Sequence, residues 1–214
     1  VAAYEIGVLL KKKFKLAIFN PLLIAIAVII VILAITGVEY DTYNDGARYL
    51  SYLLTPATVC LAVPLYEQLE ILKKNLKAIL AGILAGALTS VTSVLILAIL
   101  FGLSHEEYVT LLPKSITTAI GMGVSEELGG IVTITVAVII ITGVLGNMFA
   151  EVVCRIFRIE EPIAKGIGIG SASHAIGTAK AMELGDIEGA MSSLSIAVSG
   201  LITVILASVY AQFL

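Results

Sequence analysis

The chain has no tryptophan, two cysteines and five prolines in 214 residues, and only 14% of it is charged. Each scarcity excludes something. Soluble domains carry about 25% charged residues, so a soluble enzyme and a disordered tail are both excluded. Thirteen basic against sixteen acidic residues leave a net charge of −3. That offers no basic surface for phosphate backbones, and nucleic-acid binding is excluded with it. Cys60 and Cys154 lie in or beside apolar stretches, which argues against a disulfide framework. Neither cysteine has a histidine near it in sequence, and His105-Glu106-Glu107 lacks the second histidine of a zinc-protease motif. No enzyme, cofactor or metal site is expected. Without tryptophan, any aromatic belt must be built from tyrosine and phenylalanine. What abounds is hydrocarbon: 59% of residues are hydrophobic, and the mean hydropathy is +1.06. The chain reads as an all-α integral membrane protein.

A spanning helix needs about 20 mostly apolar residues. Leu16–Gly37, Ala78–Leu103 and Ile131–Ala150 qualify, and Ala190–Leu214 qualifies with several serines. Val1–Leu10 is too short to span and lacks a signal-peptide cleavage site; it reads as the remnant of a first helix. The whole chain, 1–214, reads as one transmembrane domain. Cations set its orientation. Ten of the thirteen fall into groups at 11–15, 73–77 and 155–165, leaving Arg48, Lys114 and Lys180 outside them. Those groups are read as cytoplasmic, and the acidic loops Val38–Ala47 and Ser104–Tyr108 as external, in a multi-pass protein of the cell membrane. Ala78–Leu103 then ends outside and Ile131–Ala150 starts outside. The apolar segment Leu111–Gly130 must enter and leave from one face.

Leu50–Leu69 and Gly166–Gly189 share its broken, polar-tinged texture. An offset of 57 pairs Pro56 with Pro113 and Thr58 with Ser115, and an offset of 58 pairs Ser115 with Ser173. The predicted fold is therefore a multi-span bundle with broken or re-entrant half-helices at 50–69, 111–130 and 166–189, related as repeats. Such interruptions in corresponding positions are the best sequence pointer to a transporter site.

Non-helical backbone at membrane depth is tolerated only inside protein or beside a watery cavity. Pro113 suits the first turn of a half-helix. Lys114-Ser115-Ile116-Thr117-Thr118 would then supply a cation, hydroxyls and free N–H donors to an anion-attracting N-terminus. Gly166–Gly170 followed by Ser171–His174 could present a second, and the two together a carboxylate cradle. Thr58, Lys114, Ser115, Thr117, Thr118, Ser173, His174 and Thr178 are the candidate binding residues. Each has a bland alternative. Serine and threonine pack membrane helices, and Lys114 could snorkel to the interface. Histidine titrates near neutrality, so His174 is either a proton-coupling group or a neutral ring bonded to a carbonyl. Lys180 and Glu183, three residues apart, are with His174 either a coupling group or a structural ion pair. Gly82 and Gly86 form a small-residue face. The long apolar helices are expected to join the subunits of a homodimer or a larger assembly while the broken segments stay internal.

Pro113-Lys114-Ser115-Ile116-Thr117-Thr118, Ser173-His174-Ala175-Ile176-Gly177-Thr178-Ala179-Lys180 and Gly189-Ala190-Met191-Ser192-Ser193-Leu194 closely resemble the LrgB/CidB family. Asn20-Pro21-Leu22-Leu23, Pro56-Ala57-Thr58 and Pro64-Leu65-Tyr66 fit it too, so the likeness runs from about Lys15 to the end. The resemblance implies one of two functions. One is a secondary transporter of small monocarboxylates such as glycolate, glycerate, lactate or pyruvate, as in a plastid glycolate/glycerate translocator. Transport is the leading reading, since a simple membrane lesion needs no buried His, Lys and Glu; the alternative is a holin- or antiholin-like pore or regulator of murein hydrolase activity and autolysis. The resemblance also implies a possible LrgA/CidA-like membrane partner. Relatives carry proline and then glutamate after the Thr-Thr pair where this chain has Ala119 and Gly123. No carboxylate role carries over there.

Overall fold

The computed structural model describes residues 2–14, 19–53, 56, 59–60 and 62–214. It divides into two compact units, Val1–Leu61 and Ala62–Leu214. All regular structure among the described residues is helical.

The smaller unit contains α1 (Ala2–Phe14), α2 (Pro21–Thr36) and α3 (Tyr40–Ser51). Asn20 stops α2 from extending toward Lys15. Its Oδ1 accepts from the N–H groups of Leu22 and Leu23, and Pro21 follows at the first helical position. Gly37, at φ 64°, ends the helix with its N–H on the Leu33 carbonyl. Apolar α2 is thus 16 residues, shorter than the expected span Leu16–Gly37. α1 packs on its start, where a Cβ on Gly7 would come within 2.6 Å of Pro21 Cα. The expected outer loop Val38–Ala47 is mostly α3, a polar helix.

The larger unit runs through α4 (Ala62–Glu67), α5 (Leu69–Phe101), α6 (His105–Leu111), α7 (Thr118–Glu127), α8 (Val132–Ile156), α9 (Pro162–Leu184) and α10 (Asp186–Tyr210). Among the described residues, three helices are long and apolar enough to cross a membrane: α5, α8 and α10 with its terminal turn. Along α5 the buried residues Ile79, Ile83, Ala87, Val91, Val94 and Ala98 recur every third or fourth position, one helix face. Its other side exposes Leu80, Leu84, Leu97 and Leu100. That is an apolar surface suited to lipid rather than water. The helix begins at Leu69, so Lys73, Lys74 and Lys77 sit on its first turns rather than in a loop.

Glycines set how closely the helices approach. A Cβ on Gly166 would fall 2.5 Å from the Glu188 carbonyl, and one on Gly170 would clash with the Ser192 carbonyl. These positions let α9 and α10 pack backbone to backbone. The glycine run is therefore a helical packing face inside α9, which starts at Pro162, and not the helix N-terminus expected from sequence. Gly82 and Gly86 of α5 face Ile167 and Ser171 of α9. The small-residue face of Ala78–Leu103 is consumed inside the chain, which removes it as a subunit contact.

One apolar cluster joins Val91, Val94 and Ala98 of α5 to Tyr108, Leu112, Ile116 and Ala207. A second joins Ile79 and Ile83 to Ile167, Ala190 and Met191. Between these levels α10 buries Ser192, Ser195, Ser199 and Thr203. The polar layer lies midway along the long helices, where hydroxyls must find partners because bulk water is absent.

Candidate functional site

Two interruptions of helix border this layer. The first lies between α6 and α7. Ser104 and Glu107 form a reciprocal capping box that starts α6, and residues 112–116 then turn, with the Lys114 N–H on Leu111 and the Ile116 N–H on Pro113. Pro113 is buried in these turns, not at the start of a half-helix as expected. α7 starts at Thr118, with Thr117 as an N-cap whose side chain makes no capping bond. The segment then closes on its own origin. The Ile131 N–H donates to Thr110 Oγ1 at 2.8 Å, and Thr135 Oγ1 lies 2.9 Å from the Thr110 carbonyl and 2.7 Å from Ser125 Oγ. Thr110, Ser125 and Thr135 are all buried.

Within this segment Lys114 Nζ donates to Ser115 Oγ at 3.0 Å and to Ser90 Oγ at 3.4 Å, and Ser90 Oγ donates to Ser115 Oγ at 2.9 Å. Ser115 is buried and Lys114 half-buried. No carboxylate among the described residues pairs with Lys114. A partly desolvated ammonium held only by hydroxyls retains an uncompensated charge, which a small anion could neutralise. Thr117 and Thr118 are half-buried at the adjacent helix start.

The second interruption is His174, where α9 breaks at φ 43° and ψ −142°. A residue bearing a Cβ is strained there. Packing with α8 holds it. His174 Nε2 donates to the Ile139 carbonyl at 3.0 Å, with the proton placed by that acceptor. A Cβ on Gly143 would sit 2.7 Å from His174 Cε1, and one on Gly146 would overlap Ser173 Oγ. Asn147 Nδ2 donates to the Ile176 carbonyl at 2.8 Å. Thr178 Oγ1 donates to the His174 carbonyl at 2.9 Å and lies 2.7 Å from Ser192 Oγ.

Ser115 is thus joined with Lys114, and His174 with Thr178. No hydrogen bond among the described residues links the first group with Ser173, His174 or Thr178. Ile139 meets His174 through its carbonyl, and its Cδ1 fills the space over Gly121 of α7. Lys180 pairs with Glu183 at 3.2 Å and with Glu151 at 3.3 Å, apart from His174. Thr58 lies outside the described residues. Sequence reasoning missed Ser90, Gly143, Gly146, Asn147, Glu151 and Ser192. Asn147 carried a usable signal, a lone amide in an apolar helix, and Ser192 stands in the family-like run Gly189–Leu194; the others carried none.

Residues 1–213 match the LrgB-like family. The chain belongs to the LrgB family. Its relatives include antiholin-like protein LrgB from Bacillus mycoides (strain KBAB4), Bacillus cereus (strain B4264) and Bacillus anthracis (strain CDC 684 / NRRL 3495). Each is 38% identical over 99% of this chain and 93% of the relative. No solved structure matches. LrgB membership and three membrane-length apolar helices agree on an integral membrane protein of helical-bundle type.

Proposed function

We propose that this LrgB protein has an antiholin-like role, restraining membrane permeabilisation together with an LrgA/CidA-like partner and so affecting autolysis. The similarity to antiholin-like relatives along nearly the full length of the chain carries this reading. A second reading, transport of small monocarboxylates, is favoured by one observation. Lys114 is held by Ser90 and Ser115 with no carboxylate partner among the described residues. In that reading Lys114, Ser115 and the start of α7 receive the carboxylate, and the break at His174 is where the helix moves. The basic groups 11–15, 73–77 and 155–165 face the cytoplasm. Leu111–Gly130 enters and leaves from the outer face, a course supported by the contact between Thr110 and Ile131.

Reconstitution in liposomes separates the two. Suppression of dye leakage caused by a co-reconstituted LrgA/CidA-like protein, without acid uptake, supports the first reading and defeats the second. Saturable uptake of glycolate, lactate or pyruvate with mutual competition does the reverse. If uptake is seen, Lys114→Ala should weaken apparent affinity roughly ten- to a hundredfold, since hydrogen bonds to charged groups contribute about 1.5–3 kcal/mol. Unchanged affinity would remove Lys114 from the site.

A further inference from the structure

A cleft of about 260 Å³ opens where α8 ends and α9 begins, lined by Arg155, Arg158 and Lys165 together with Glu151, Glu160 and Cys154. Glu151 is engaged by Arg155 at 3.4 Å and by Lys180 at 3.3 Å. Arg158 and Lys165 pair with no carboxylate among the described residues. The backbone presents Arg158 in an uncommon way. α8 ends in a Schellman turn, with the Ile159 N–H on the Cys154 carbonyl at 2.8 Å. The left-handed position of that turn, normally glycine, is Arg158 at φ 53°. Beside it Ile156 and Phe157 are 68% and 72% exposed, and Val152 and Val153 are exposed on the preceding turn. Cations at the end of a membrane-length helix, flanked by uncovered hydrocarbon, match the two halves of one ligand: a phosphate and an acyl chain.

We propose that this cleft is a phosphate-recognition site for the headgroup of an anionic phospholipid. Arg158 and Lys165 donate to the phosphate oxygens, and Arg guanidinium geometry suits paired contacts to that group. Ile156 and Phe157 lie against the acyl chains. The exposed apolar rim favours a lipid over free phosphate, which has nothing to gain from it. Basic sites at the ends of membrane helices recognise lipid headgroups by this chemistry.

Native mass spectrometry of the detergent-solubilised full chain tests the site, titrating phosphatidylglycerol, phosphatidylcholine and inorganic phosphate separately. Phosphatidylglycerol should bind more tightly than phosphatidylcholine, with affinity falling roughly fivefold for each cation removed in Arg158→Gly and Lys165→Gln. Arg158→Gly suits the left-handed turn better than the native residue, so its loss of binding cannot be assigned to misfolding. Lys73→Gln/Lys74→Gln removes the same charge as the two cleft substitutions combined and should leave the preference intact. Retained preference in the cleft variants, or equal loss in the Lys73/Lys74 control, overturns the site. Inorganic phosphate binding as tightly as the lipid overturns the lipid as its ligand.

Discussion

The chain interrupts helix in two ways inside one unit, and the contrast shows where each interruption gets its stability. Between α6 and α7 a proline, successive turns and a clasp of three hydroxyl residues hold the break from within a continuous stretch. At His174 the break is a single residue between serine and alanine, with no glycine or proline at the break itself. Gly143 and Gly146 of α8 make room for it, and Ile139 and Asn147 supply partners. The first interruption is encoded mainly in its own segment. The second is imposed by a neighbouring helix.

The largest expected effect removes the room on which the second break depends. A methyl at Gly146 would overlap Ser173 Oγ and Cβ. Overpacking costs about 1–3 kcal/mol, and Gly146→Ala should sit at or above the upper end because the obstacle is short and fixed to a constrained backbone. Thermal unfolding in detergent should show it as a loss of roughly 6–12 °C, taking 2–4 °C per kcal/mol for a chain of this size. Adding Ser173→Gly should restore most of the loss by double-mutant coupling. No recovery would break the claim that α8 imposes the interruption.

Two substitutions at His174 sharpen it further. Both lose the bond to Ile139, worth about 1 kcal/mol net. Alanine keeps a Cβ at positive φ, whereas glycine relieves strain of order 1–3 kcal/mol. Both also lose the buried ring, so both should be less stable than the native chain, with His174→Ala less stable than His174→Gly by about 1–3 kcal/mol. Equal stabilities would mean that the backbone relaxes to helix once the ring is gone.

The clasp gives the corresponding test of the first break. Thr135→Val leaves the buried Thr110 carbonyl and Ser125 hydroxyl short of a partner, at about 1–3 kcal/mol. Pro113→Ala acts mainly on the unfolded chain and should cost only about 0.4–1 kcal/mol. Denaturation of the two variants under one condition ranks them. If Pro113→Ala is the worse, proline rather than the clasp holds the break.

The contrast also explains what was legible in the sequence. Membrane helices were readable because hydrocarbon runs of that length have few alternatives, although the ends of α5 and α8 extend past the apolar runs into charged turns. The interruption near Pro113 was readable because proline and adjacent polar residues act locally. Its direction was not: Pro113 was expected to open a helix, and the hydrogen bonds of residues 112–116 make it part of a turn. For α9 the glycines pointed to the wrong place. Gly166 and Gly170 are there to admit α10, and the actual break falls later, at a histidine whose conformation depends on glycines of another helix. Ser90 was invisible for the same reason, since its partner Ser115 is brought to it by tertiary structure alone.

The smallest effect lies at the entrance of the first segment and asks how local that segment's stability is. Glu107 is exposed, and its carboxylate accepts from both the N–H and the hydroxyl of Ser104 at 2.8 Å. These two bonds, the backbone one first, hold its pKa below the usual carboxylate value. A pKa depressed in the folded state stabilises the fold above the unfolded value of about 4.3, and that contribution is lost as pH falls through the folded pKa. Amide exchange across residues 105–108, corrected for intrinsic rates, should quicken across that acidic window in the native chain. The response should flatten in Glu107→Gln, which keeps an acceptor but cannot titrate. Exchange at Ile131 should not follow it, because the bond from its N–H to Thr110 belongs to the clasp and not to the cap. If Ile131 opens in step with Glu107 protonation, the first break is held from its entrance. The division between a self-contained interruption and an imposed one would then have to be redrawn.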